Sequence, residues 1–313
     1  MLPNQMALTN DKLYPNSAYL SSTEHKVESQ VRDYFVLLKP RVMSLVVFTG
    51  AAGLFLAPGS IHPLIALVTI LCIALGSGAA GAINMWYDRD IDMIMERTKN
   101  RPIPRGIIHP DDALQFGILL AAFSILIMAI AVNLLSAFLL TIAILFYVLV
   151  YTMYLKRRTV QNIVIGGAAG AIPPMIGWAA VTSNVSVESF ILFMIIFFWT
   201  PPHFWSLALY KADDYKKAKV PMLPVTHGEL ITKRQIIIYT VILSIASLLP
   251  AIWFTHFTYL IVAILLNILF LYYVVMSYSD NSYYYAKKTF GFSILYLFMI
   301  FFTMIIEGVY YQY

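Results

Sequence analysis

Charge is what this sequence has least of. Asp, Glu, Lys and Arg make up 12% of its 313 residues, about half the share of a soluble domain. With 60% hydrophobic residues and a mean hydropathy of +0.76, this excludes a soluble globule and a disordered chain. Cysteine is nearly absent. The single Cys72 lies inside an apolar run, which excludes an internal disulfide, a thiolate zinc cluster and a C-x-x-C-H haem attachment. The N-terminus lacks an apolar core behind a basic start, so it does not read as a secretory signal. Its acids and scarce arginine argue against a mitochondrial transit peptide. Residues 1–34 are therefore expected to form a polar cytoplasmic tail, mobile or interfacial, ahead of a membrane domain over 35–313.

Apolar runs are abundant. Nine of them, near 42–58, 62–84, 113–132, 134–155, 161–181, 187–210, 235–254, 258–277 and 289–310, are long enough to cross a bilayer as helices. The expected fold class is all-α: a polytopic membrane protein of about nine transmembrane helices around a central cavity. Two connections, near Asn133 and His256, are very short, and a miscount there would invert the rest of the topology. Basic residues supply a check. Under nine spans, all 21 Lys and Arg residues fall in the tail and the even-to-odd loops, and none falls on the other side. The positive-inside rule then sets the N-terminus in the cytoplasm and the C-terminus outside. Two basic loops, 85–112 and 211–234, are long and both contain paired prolines, in the manner of a faint duplication.

The strongest chemical signal closes the second span. Asn84, Asp88 and Asp92 are spaced i, i+4, i+8, so on a continuous helix they share one face within about 12 Å. Asp90 and Glu96 lie close by. Carboxylates crowded together repel unless a cation bridges them, and hard oxygens suit Mg²⁺ with substrate phosphates. A solvated acidic helix end is the plain alternative, but charge at membrane depth is costly and usually functional. Arg97, Lys99, Arg101 and Arg105 follow, as an anion would need, although topology alone also places basic residues there.

The sixth span carries a second group. His203, Tyr210 and Asp214 are spaced i, i+7, i+11, with Asp213, Lys216, Lys217 and Lys219 beside them. Pro201 and Pro202 are expected to kink or break this helix, and Pro173 and Pro174 to do the same in the fifth. His203 is open to three readings: a haem-iron ligand, a base, or a satisfied helix contact. A third cluster, Lys156, Arg157 and Arg158, precedes Gln161 and Asn162. Its lysine–arginine pair could receive a propionate or a phosphate.

The tract Asn84-Met-Trp-Tyr-Asp88-Arg-Asp-Ile-Asp92, with Arg97 to Pro104, resembles the first aspartate-rich motif of the membrane-embedded aromatic prenyltransferases. Three further tracts resemble the haem-farnesylating branch of that superfamily. They are Lys156-Arg-Arg-Thr-Val-Gln-Asn162, Trp199-Thr-Pro-Pro-His203, and Tyr210-Lys-Ala-Asp-Asp214 running on to Pro221-Met-Leu-Pro224. Lys39-Pro-Arg41 also fits. The likeness covers about residues 35–310. It implies transfer of farnesyl from farnesyl diphosphate to the 2-vinyl group of haem B, with water completing haem O and diphosphate leaving. It further implies Mg²⁺ on Asp88, Asp92 and Asp214, with Asn84 as the fourth catalytic position. The implied substrate-binding set is Arg97, Arg101, Lys156, Arg157, His203, Tyr210, Asp213 and Lys217. The second motif departs from the family pattern, having Tyr210 where an aspartate is expected.

The implied partners are haem B, farnesyl diphosphate, the lipid bilayer and a haem A synthase downstream, with no nucleic acid. The implied location is a bacterial plasma membrane. Two rivals stand beside this reading: a prenyltransferase for a quinone precursor such as 4-hydroxybenzoate, and a cation-coupled transporter. The acids sit at one surface beside basic loops, whereas transporters place ions near mid-membrane.

Overall fold

The computed structural model describes residues 29–311, so most of the N-terminal tail lies outside the described residues. Every regular element among them is helical. The first crossing is a bent pair, α1 (Val31–Leu37) and α2 (Pro40–Leu56), which meet at 59°. The second is α3 (Pro63–Tyr87), followed by a short α4 (Arg89–Ile94). Then come α5 (Pro110–Ala131) and α6 (Leu134–Leu145), the latter continuing as a π-helix over Phe146–Leu155. The fifth crossing is split into α7 (Asn162–Ala171) and α8 (Pro173–Thr182), and the sixth is α9 (Val187–Tyr210). Short α10 (Ala212–Lys217) and α11 (Leu223–Thr226) precede α12 (Gly228–Ala246), which a small α13 (Pro250–Trp253) extends. The last two crossings are α14 (Phe257–Ser279) and α15 (Tyr284–Tyr311). Among the described residues, eight helices are long and apolar enough to span a membrane, and nine if the bent pair is one span.

The short connections are explained by their caps. At Asn133 the side-chain oxygen accepts the Ser136 N–H at 2.8 Å, opening α6, while its amide donates to the Ala179 carbonyl at 2.8 Å. At His256 the cap comes from far along the chain. The buried Glu307 carboxylate of α15 accepts the N–H groups of His256 and Tyr259, at 2.8 and 2.6 Å. An anion there meets the positive end of α14.

The helices close into a ring. α2 packs on α3 and α8, α3 on α5, α7 on α9, α9 on α12, α12 on α14, α14 on α15, and α15 returns to α2. The fifth and sixth crossings are the interior ones: 67% of the apolar window of 162–182 is buried, against 28% for 110–131. Outward side chains such as Leu119, Ile130 and Leu134 are left for lipid. The α2–α8 crossing needs bare backbone. A Cβ on Gly53 would stand 2.0 Å from the Pro174 carbonyl oxygen, and one on Gly177 2.0 Å from that of Gly50. Small residues allow such approach between membrane helices.

One local expectation needs correction, the break at Pro201 and Pro202. Pro201 and Pro202 do not break α9, which runs on from Val187 to Tyr210. Two adjacent prolines remove only two consecutive donors, and the hydrogen bonds on either side carry the helix through. Pro173 and Pro174, by contrast, do coincide with an interruption, at Ile172. The fourth crossing ends in a π-helix over Phe146–Leu155. Its Tyr151 ring lies against Gly166, where a Cβ would meet it at 2.3 Å.

Candidate active site

The site gathers at the end of the bundle where the charged loops meet. Asn84 and Asp88 sit on the last turn of α3 and its cap, and Asp92 on α4, all nearly fully buried. The helix does not continue straight. Asp88 leaves helical geometry at φ −85°, ψ 6°, yet the 4-residue ladder bridges the junction: Asp88 N–H reaches the Asn84 carbonyl at 2.9 Å and Asp92 N–H the Asp88 carbonyl at 2.8 Å. The three side chains thus stay together across a bend.

Each carboxylate has a cation. Asp88 takes the Lys156 ammonium and the Asn84 amide (2.7 Å) on Oδ2. Asp92 takes the Arg101 guanidinium at 2.5 Å. Asn84 is itself fixed from two sides, donating to Thr152 Oγ1 at 3.1 Å and accepting from Lys39 Nζ at 2.5 Å. Lys39 forms no ion pair among the described residues; its ammonium position is set by the Asn84 oxygen. It reaches the site from the α1–α2 break, where its backbone is held in the left-handed region at φ 53°, a strained conformation for a non-glycine residue. Sequence reasoning noticed Lys39 only as part of a tract and missed Thr152 altogether. The left-handed backbone of Lys39 carries no sequence signature.

Arg157 is placed differently from its neighbour Lys156. It grips Asp90 with two parallel hydrogen bonds of 2.7 Å, lies over the Tyr87 ring at 4.9 Å, and stays 3.5 Å from Asp88 Oδ1. Partial burial would raise the Asp90 carboxyl, but the Arg157 guanidinium outweighs it and holds the group below its ordinary range.

The second acidic group stands apart from the helix that precedes it. α9 ends at Tyr210, Lys211 turns at φ −120°, and α10 begins anew. The expected single face from His203 to Asp214 is therefore interrupted. The reason is local: α10 has Asp213 and Asp214 in its first turn and Lys216 and Lys217 in its last, matching its own dipole. Asp214 is buried, whereas Asp213 and Lys217 are exposed.

His203 and Tyr210 do share a face, and both rings meet Phe290 of α15. The imidazole is stacked between Trp199 (4.3 Å) and Phe290 (4.6 Å). Its Nδ1 lies 2.6 Å from Ser293 Oγ, and that hydroxyl donates to the Phe290 carbonyl at 2.6 Å. A hydroxyl has one proton. With it committed to Phe290, His203 is the donor at Nδ1, and its Nε2 keeps a lone pair in the ring plane, clear of both stacking partners.

The donors suit a hard divalent ion. Asp88 Oδ1 and Asp214 Oδ2 are buried carboxylate oxygens without a hydrogen-bond partner, and oxygens of this kind are what Mg²⁺ takes. Among the described residues, no three His, Cys, Asp or Glu side chains are gathered around one point.

A bundle of membrane-length helices with buried, cation-paired acids at one end has the frame of a membrane enzyme, and the comparisons give its family. The chain belongs to the UbiA prenyltransferase family, which matches residues 46–306. It is 56% identical over 276 residues to the protoheme IX farnesyltransferase of Rickettsia bellii, covering 88% of this chain and 92% of that one. It is 55% identical over 284 residues to the protein of the same name from Ehrlichia canis, covering 90% and 96%. Two solved structures share the fold: a digeranylgeranylglyceryl phosphate synthase (TM-score 0.74, 20% identity, 89% and 98% covered) and a UbiA homologue from Archaeoglobus fulgidus bound to GPP and Mg²⁺ (TM-score 0.63, 18% identity, 87% and 99% covered).

Proposed function

We propose that the chain transfers farnesyl from farnesyl diphosphate to the 2-vinyl group of haem B, with water completing the hydroxyethylfarnesyl side chain of haem O. The observation that carries the reading is the convergence of long basic side chains on buried oxygen donors. Arg101 and Lys156 pair Asp92 and Asp88, and Lys39 reaches Asn84 between them, an arrangement that suits a metal-bound polyanion. Asp88 and Asp92, and separately Asp214, would hold Mg²⁺, which would neutralise the charge that builds on the leaving diphosphate.

The chain's own groups divide the remaining work. Asn84 orients the carboxylate end of α3. Lys39, Arg101 and Lys156 take phosphate oxygens, with Arg97 beside them. Arg157 holds α4 through Asp90 and faces the substrate only at its edge, and Asp213 and Lys217 shape the field from the exposed side. The farnesyl tail lies in the apolar bundle, and departure of diphosphate leaves an allylic cation that the electron-rich vinyl group attacks. Dry walls keep water from that cation until the carbon–carbon bond has formed. His203 offers Nε2 to the haem iron, with Tyr210 on the same wall. The protein sits in a bacterial plasma membrane, with the charged mouth and N-terminus cytoplasmic and the C-terminus outside. A haem A synthase consumes the product.

The test offers haem B and 4-hydroxybenzoate in parallel with farnesyl diphosphate to purified protein, and analyses haems from cells with and without the gene product by mass spectrometry. Farnesylated haem is expected; prenylated 4-hydroxybenzoate alone would move the substrate to a quinone precursor. Mg²⁺-dependent release of diphosphate separates both from a transporter. Haem added to the protein should shift the visible spectrum, and His203→Ala should change that shift.

A further inference from the structure

We infer that Lys156 and Arg101 are exchangeable counter-ions, which hold Asp88 and Asp92 while the site is empty of substrate and move to the diphosphate when it arrives, so that metal and diphosphate bind as a linked pair. The inference rests on the diphosphate reading above and adds the order in which charge is rearranged. Asp88 Oδ2 already receives Asn84 and the Lys156 ammonium, and Asp92 Oδ2 receives Arg101. A divalent ion needs those same lone pairs. It cannot share a buried carboxylate with an ammonium at close range, because like charges repel strongly where water is scarce. The ammonium must leave first, and leaving costs its one ion-pair partner among the described residues unless another anion takes it up.

Diphosphate is that anion. Lys156 sits on the cap after the π-helix, and Arg101 in the loop after α4, so neither movement requires a helix to unwind. The stem of each is long enough to pivot from carboxylate to phosphate. Asp88 Oδ1 has no hydrogen bond, with the Arg157 guanidinium 3.5 Å away, so once Lys156 has moved this oxygen is open to the metal. The outcome is thermodynamic: each ligand raises the affinity for the other by the same factor. Metal alone then binds weakly, and a charged site does not trap stray cations from the cytoplasm.

The test is Mn²⁺ binding followed by electron paramagnetic resonance on the purified full chain in detergent, with and without inorganic diphosphate. In the native protein, diphosphate is expected to tighten Mn²⁺ by about tenfold or more. Lys156→Met is expected to bind Mn²⁺ alone more tightly than the native chain, with the diphosphate effect reduced several-fold. Arg101→Met should do the same at Asp92 and serves where Lys156→Met folds poorly. Lys156→Arg should keep the coupling. Unchanged Mn²⁺ affinity in both methionine variants would overturn the exchange. Unchanged affinity in Asp88→Asn would instead overturn the metal reading of the site, so the two failures are distinguishable.

Discussion

The two acidic regions follow the same plan in sequence and end in opposite states. Each lies just past an even-numbered crossing, at a break in the helix, with basic residues after it. In the first, Asp88 and Asp92 are buried against Lys156 and Arg101, and Asn84 is fastened to Thr152 and Lys39. In the second, Asp214 is buried with Oδ2 unpartnered, while Lys216 and Lys217 point into solvent. A buried charge without a partner costs free energy. Both regions thus leave one buried oxygen open, Asp88 Oδ1 and Asp214 Oδ2, but only the first has its carboxylates ion-paired by the protein among the described residues. A faint duplication has diverged into a built half and a waiting half.

The sharpest way to break that contrast is Asp88→Asn. Shape is kept, one negative charge is lost, and Lys156 loses its counter-ion. Turnover of farnesyl diphosphate should fall by roughly 10²–10³-fold, the cost of removing one transition-state electrostatic contact. The protein should still insert and elute as a folded species. Wild-type turnover in this variant would remove the first region from the chemistry.

Gly53→Ala provides a control that ought not to tell the regions apart. Its Cβ would collide with the Pro174 carbonyl at 2.0 Å, forcing α2 away from α8. Overpacking of this kind costs about 1–3 kcal/mol. A lowered thermal midpoint is expected, with Mn²⁺ affinity per folded molecule unchanged. A shift in metal affinity would mean that the crossing and the acid regions are one unit.

Asp214→Asn should separate stability from activity. Removing an unpartnered buried charge should leave the ligand-free protein as stable as before or raise it by about 1 kcal/mol. Diphosphate release should nevertheless slow by about tenfold, since the waiting carboxylate no longer completes the site. If the variant is destabilised, Asp214 is held by the protein after all, and the asymmetry between the regions disappears.

Sequence reasoning read the scaffold well and the site in part, for physical reasons. Apolar length identifies spans because lipid demands it, and all nine stretches coincide with helices, the first as a bent pair. Residue type at i, i+4, i+8 found Asn84, Asp88 and Asp92, which the structure keeps together. The same periodicity failed from His203 to Asp214 because Lys211 breaks the helix, and a dipole-matched α10 restarts it. Cations were the least legible. A lysine fixing topology and a lysine pairing a carboxylate look alike in a loop, so nothing ranked Lys39 above Arg105. Ser293, which sets the His203 tautomer, lies 90 residues away, a separation that no local pattern reports.

The smallest effect sharpens the comparison from its edge. Asp90 is 57% exposed and paired with Arg157, so the pair contributes at most about 1 kcal/mol after solvent screening. Its folded carboxyl lies below its ordinary range, so the unfolded chain binds the proton more readily. The stabilisation is then fully present above the unfolded value and is lost as pH falls through the lower folded one. The difference in thermal midpoint between the native chain and Asp90→Asn should be flat near neutrality and shrink in acid. A difference that grows as pH falls would have the sign wrong. In that event Arg157 would be free of Asp90, and the built half of the site would extend to all four cations, leaving Asp214 still more clearly alone.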